Sequence, residues 1–110
     1  MDPVLPGKTR RARYPFVAKV TLEELASGGL INGMTTDLGE GGCGICAREF
    51  LPGNAEVLAK ITKNGVTFVT AAVVAYSLPP AAMGLAFIDM APDQKQILTD
   101  WLRAAVPAIR

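Results

Sequence analysis

The sequence contains no histidine. That absence removes the commonest general base, the serine and cysteine triads that depend on imidazole, and the commonest metal ligand. Only two cysteines are present, Cys43 and Cys46, and without histidine they cannot supply the four ligands of a structural zinc. They lie three apart in a segment that reads as a β-strand, so their thiols are expected on opposite faces rather than joined in a redox pair. Both are read as small core residues. Aromatic residues make up only 6% of the chain, too few for the run of stacking platforms that a single-stranded nucleic-acid binder needs. No run of apolar residues reaches the roughly 18–20 required to span a membrane. The opening Met-Asp-Pro-Val-Leu-Pro lacks the apolar core of a signal peptide, which gives the expectation of a cytoplasmic protein.

What is present is a chain of 110 residues, half of them hydrophobic, the length and composition of one globular domain. The net charge of +1 conceals a local asymmetry. Lys8, Arg10, Arg11 and Arg13 are opposed only by Asp2 in the first fifteen residues, and the remainder is slightly acidic. The basic character is therefore a patch and not a field for long nucleic acids. Two dozen residues after Arg13 comes Asp37-Leu38-Gly39-Glu40-Gly41-Gly42, a glycine-rich segment led by a carboxylate. Guanidinium groups suit phosphates, and a carboxylate beside bare backbone suits the edge of a base. Asp37 and Glu40 are the only acidic pair in that segment, which is thin support for catalysis. The expectation is a binding module, with no catalytic residue and no metal.

The period of the apolar residues sets the order of elements. Phe16, Ala18, Val20 and Leu22 alternate with Val17, Lys19, Thr21 and Glu23, the pattern of a half-buried strand. A second strand is expected from Leu30 to Asp37, then a turn through Gly39–Gly42, and a third strand from Gly42 to Ala47. Leu51-Pro52-Gly53-Asn54 is a turn by composition. Val57, Ala59 and Ile61 mark the inner face of a fourth strand. Asn64-Gly65 predicts a type I′ hairpin, which needs positive φ at both central positions. The β-branched run Val66–Tyr76 follows, ended by Pro79-Pro80, and Met83–Ile88 is a sixth strand. The period then becomes helical: Pro92 and Asp93 suit a first turn, and Ile97, Leu98, Trp101, Leu102, Ala105 and Val106 share one face. The predicted fold class is all-β with a C-terminal helix. Six antiparallel strands form a barrel or curled sheet, capped by one amphipathic helix over about 92–106, with Trp101 as a plug beneath the barrel end.

The arginine cluster before Tyr14-Pro15-Phe16, the Asp37-x-x-x-Gly41-Gly42 segment, Met83-Gly84-Leu85-Ala86-Phe87 and a helix carrying Trp101-Leu102 together resemble a PilZ domain. The resemblance covers about Lys8 to Leu102. It implies a six-stranded PilZ-type barrel over 10–106 preceded by a flexible segment, 1–9. It further implies a receptor or adaptor module for the bacterial second messenger cyclic di-GMP. The family signature is RxxxR ahead of the first strand and (D/N)xSxxG between the second and third. Carried onto this chain, it makes Arg10, Arg11, Arg13, Asp37, Gly39 and Gly42 the ligand-binding residues, with no cofactor beyond that ligand.

Two positions depart from the signature. Thr9 stands four residues before Arg13 where an arginine is expected, and Gly39 stands where a serine is expected. Loss of a neutral hydroxyl bond costs about 0.5–1.5 kcal/mol, and loss of an arginine contact to a phosphate or guanine about 1.5–3 kcal/mol. Arg10 or Lys8 could reach the contact meant for position 9. The alternative implied by the departures is a PilZ-like protein-interaction module that does not bind the nucleotide. Either way the sequence shows no output domain, which leads to the expectation of a protein partner acted on in trans, or of action through self-association.

Overall fold

The computed structural model describes residues 12–105. Among the described residues seven strands precede one helix: β1 (Arg13–Pro15), β2 (Lys19–Glu24), β3 (Leu30–Gly39), β4 (Gly42–Ala47), β5 (Glu56–Lys63), β6 (Val66–Leu78), β7 (Ala82–Ile88) and α1 (Pro92–Ala105). All pairings are antiparallel. The ring runs β3-β2-β5-β6-β7-β4 and closes through a β3–β4 ladder, so six strands form the barrel and leave it no open edge. The expected fold class is the observed one.

The inward residues are those the alternation selects. Val20 and Leu22 on β2, Val57, Ala59 and Ile61 on β5, and Phe68, Ala72 and Val74 on β6 are all buried. Asn64 and Gly65 adopt φ of 51° and 80°, as the β5–β6 hairpin requires. Helix α1 lays its apolar face over one end of the barrel. Leu98 is buried there, and the Trp101 ring lies 5.2 Å from that of Phe16 and 6.0 Å from that of Phe68. Trp101 is thus the plug its spacing predicts. The helix is also tied to the wall by Gln94, whose Oε1 accepts from the Val69 N–H at 2.7 Å.

Two expectations are corrected. The first strand does not begin at Phe16: Arg13–Pro15 form a strand of their own, and the barrel strand starts at Lys19. β1 lies outside the ring, along the part of β3 that β2 leaves free. β2 pairs with β3 from Leu30 to Met34, and β1 takes over with Arg13, Tyr14 and Pro15 opposite Gly39, Leu38 and Asp37. Pro15 is tolerated because an edge position needs no donor from it. The crossing between β1 and β2 is pinned by Thr35, whose N–H donates to Ala18 O at 2.8 Å and whose buried hydroxyl donates to Phe16 O at 2.6 Å.

The second correction concerns the cysteines. Their thiols do face opposite ways, but only Cys43 is a core residue; Cys46 is exposed opposite Met34. Two strand residues three apart cannot both point inward, so the strand reading itself excluded a shared core role.

Candidate functional site

Residues alternate across β1, so Arg13 and Tyr14 leave it on opposite sides. Arg13 reaches over β3, where its Nη1 donates to Asp37 Oδ2 at 2.9 Å. Both side chains keep about a third of their surface open, 38% for Arg13 and 33% for Asp37. The other carboxylate oxygen, Oδ1, accepts from the Thr36 hydroxyl at 3.0 Å.

Asp37 faces outward because β3 is bulged. Thr35 is buried and Leu38 is buried, so one residue of the two between them is surplus to simple alternation. The register with β4 skips Thr36: Thr35 lies opposite Ile45 and Asp37 opposite Gly44. A bulge of this kind re-aims the residue that follows it. The carboxylate consequently lies across Gly44, where a Cβ would stand 2.2 Å from Oδ1 and 2.7 Å from Thr36 Oγ1. Asp37 is thus a strand residue; β3 continues to Gly39, and the connection to β4 is only Glu40-Gly41.

The glycines of this segment have distinct duties. At Gly39 a Cβ would meet Ala12 O at 2.7 Å and Arg13 Cδ at 2.8 Å, so the missing side chain lets β1 and the arginine stem lie close against β3. A serine there would require the arginine strand to move. At Gly42 a Cβ would fall 1.9 Å from Leu85 O. The space beside Gly42 is filled by the β7 backbone, inside the barrel wall.

Beneath the pair lies Cys43, on the core side opposite Leu38. Its thiol is pushed up to about 12, by burial first; the Arg13 charge pulls it down and the Asp37 charge raises it. It is a neutral core group. A separate cleft of about 880 Å³ opens on the other side of β1, between Tyr14, Glu40, Gly41 and the helix residues Lys95, Thr99 and Arg103; neither Arg13 nor Asp37 lines it.

Of the residues expected to bind ligand, Arg13, Asp37 and Gly39 meet at one corner, and Gly42 sits in the adjoining wall. Arg10 and Arg11 lie outside the described residues. Gly44 was missed by sequence reasoning, although a glycine inside a strand often marks a close approach. Among the described residues no group of three metal-binding side chains is found, and no helix is long and apolar enough to cross a membrane.

The site therefore consists of an ion pair on the outer wall of a closed small barrel whose end is covered by a helix. The PilZ domain profile matches residues 8–104, and the chain belongs to the PilZ domain family. PilZ domains are regulatory binding modules. No curated protein matches the chain. Solved structures with the same fold include the PilZ domain of CeSA from a cellulose-synthesizing bacterium, at TM-score 0.68 and 16% identity, covering 84% of this chain and 96% of that one. The PilZ domain with c-di-GMP of YcgR from Escherichia coli matches at TM-score 0.70 and 13% identity, over 87% and 89%. The Bacillus subtilis inhibitor of motility MotI/DgrA matches at 0.66 and 18%, over 86% of this chain and 50% of its own length.

Proposed function

We propose that this chain is a cyclic di-GMP receptor module whose ligand packs on the outer wall around Arg13 and Asp37. The observation that carries the reading is the 2.9 Å pair between those two residues, each about a third exposed, at the positions the family signature assigns to ligand contacts. Arg13 suits the phosphates and the N7 and O6 acceptors of guanine. Asp37 suits guanine N–H donors, because among the described residues its Oδ1 is engaged by a neutral hydroxyl alone. Gly39 and Gly42 are assigned the role of keeping the surrounding wall close and bare. Arg10 and Arg11 join the site by their position in the sequence, where they would add the cationic contact that Thr9 does not provide.

The existing Arg13–Asp37 pair gives the module a way to signal. A ligand that takes either group must compete with the other, so binding would release or reset β1 and alter the surface offered to a protein partner in trans. Support for the ligand comes from the family and from the YcgR structure with c-di-GMP.

Isothermal titration with cyclic di-GMP tests the proposal. Saturable binding that Arg13→Ala weakens is the expected result. Absence of heat at hundreds of micromolar, or an Arg13→Ala variant that binds as well as the unaltered chain, overturns it. The departures at Thr9 and Gly39 make a nucleotide-independent interaction module the reading that would then take its place.

A further inference from the structure

The bulge on β3 does more than turn Asp37 outward. Consecutive residues of a regular strand leave it on opposite faces. Here Thr36 and Asp37 both leave on the outer face, between buried Thr35 and buried Leu38. The Thr36 hydroxyl therefore stands beside the carboxylate and donates to its Oδ1 at 3.0 Å. Both groups occupy the space over Gly44, where a Cβ would come within 2.7 Å of Thr36 Oγ1. A second bulge, on β6, offers a contrast. Its register skips Ala75 between Val74 and Tyr76, and the Tyr76 ring covers Gly84, but the surplus residue there has no polar group.

The carboxylate is thus held from two sides, Oδ1 by Thr36 and Oδ2 by the Arg13 guanidinium at 2.9 Å. The last torsion of an aspartate is soft, and a donor on each oxygen fixes its plane better than one donor alone. The two donors are not equivalent. Arg13 sits on β1 and is the group that a phosphate or guanine would draw away. Thr36 is the chain neighbour of Asp37 and stays beside it. The bulge itself is tied through the backbone, the Thr36 carbonyl accepting from the Phe16 N–H at 3.2 Å, so the hydroxyl has no part in it. Position 39 provides no hydroxyl, and a side chain there would meet Ala12 O and the Arg13 stem.

We infer that Thr36 is a positioning residue of the ligand site, its hydroxyl keeping the Asp37 carboxylate aimed once Arg13 has turned to the ligand. This rests on the receptor reading proposed above. An ionised carboxylate has about four lone-pair sites, so one hydroxyl on Oδ1 leaves acceptor capacity for ligand N–H groups. Ordering the carboxylate before the ligand arrives removes part of the entropy cost of binding. Without the hydroxyl, a ligand that takes Arg13 meets a carboxylate that nothing holds among the described residues.

Titration with cyclic di-GMP compares the unaltered chain with Thr36→Val, Thr36→Ser, Gly39→Ser and Arg13→Ala, each first shown to melt cooperatively. Thr36→Val keeps the β-branched shape and should lose roughly two- to tenfold in affinity, the worth of one hydroxyl hydrogen bond. Thr36→Ser keeps the donor and should bind within about twofold of the unaltered chain. Gly39→Ser should bind no more tightly, because the hydroxyl is already supplied and the new side chain displaces the arginine strand. If Thr36→Val binds like the unaltered chain while Arg13→Ala does not, the positioning role is overturned and the receptor reading stands. The role is equally overturned if Thr36→Ser binds as weakly as Thr36→Val, or if Gly39→Ser binds more tightly than the unaltered chain. If the unaltered chain does not bind, or Arg13→Ala binds as well as it does, both fall. Should Thr36→Val fail to fold, Thr36→Ala takes its place against the same outcomes.

Discussion

The carboxylate of Asp37 rests on Gly44, closer than any side chain at that position would permit: a Cβ would lie 2.2 Å from Oδ1. Gly44→Ala should therefore displace Asp37 without deleting it. Because the displaced group is exposed and can rotate, the cost to stability should stay near the lower end of overpacking, about 1 kcal/mol. Cyclic di-GMP affinity should fall by roughly tenfold, since a misdirected hydrogen bond loses most of its worth. Titration and a thermal melt on the same variant separate the two effects, and unchanged affinity would show that the carboxylate's position is immaterial.

Arg13 and Asp37 should matter to ligand and hardly at all to folding. Their ion pair is partly exposed, so its removal should change stability by no more than about 1 kcal/mol. Arg13→Ala should weaken binding by roughly 10- to 150-fold, the value of one charge-assisted contact. Urea melts of Arg13→Ala, Asp37→Ala and the double variant would measure the pair directly. A coupling well above 1 kcal/mol would make it a structural bridge.

Gly42 and Gly53 should respond oppositely to alanine. At Gly42 the new Cβ would be driven into Leu85 O, a backbone atom that cannot rotate away. Opening of the β4–β7 ladder is expected, with a loss of about 1–3 kcal/mol or more. Among the described residues nothing lies within 4 Å of the corresponding position at Gly53, so Gly53→Ala should be neutral or gain about 0.4–1 kcal/mol through the unfolded chain. Melting temperatures of the two variants check the contrast.

The Thr35 hydroxyl holds the chain where β1 hands over to β2. Thr35→Val preserves shape but leaves the Phe16 carbonyl without that donor, and about 1–3 kcal/mol should be lost. Hydrogen exchange should quicken first along β1, including the Tyr14 and Arg13 amides, before the rest of the barrel.

Thiol chemistry should distinguish the cysteines. A maleimide should label Cys46 alone in the native protein and both thiols in denaturant. The Cys43 thiol is raised from 9.0 to about 12 in the fold. The folded state therefore holds its proton more tightly than the unfolded chain. Its stabilising contribution is complete below pH 9 and declines as pH rises from there towards 12, at up to about 1.4 kcal/mol per pH unit. Cys43→Ala should flatten the alkaline limb of the stability profile by that amount.

The sequence alone determined the class of fold and one corner of the proposed site. Strand faces, the Asn64-Gly65 hairpin and the change of period at Pro92 are local signals, each set by a few neighbouring residues. Arg13 and Asp37 were legible because charged groups beside a strand start and a glycine run are uncommon and the family signature falls on them. Only the tertiary structure decided where those groups point. The bulges at Thr36 and Ala75 depend on which residue of a distant strand supplies each hydrogen-bond partner, and Cys46 turns outward for the same reason that Cys43 turns in. The need for glycine at positions 39, 42, 44 and 84 comes from atoms up to 43 residues away in the chain, such as Leu85 O against Gly42. That Asp37 lies over Gly44 and Tyr76 over Gly84 could not be read in advance, because those two glycines come face to face only once β4 and β7 pair.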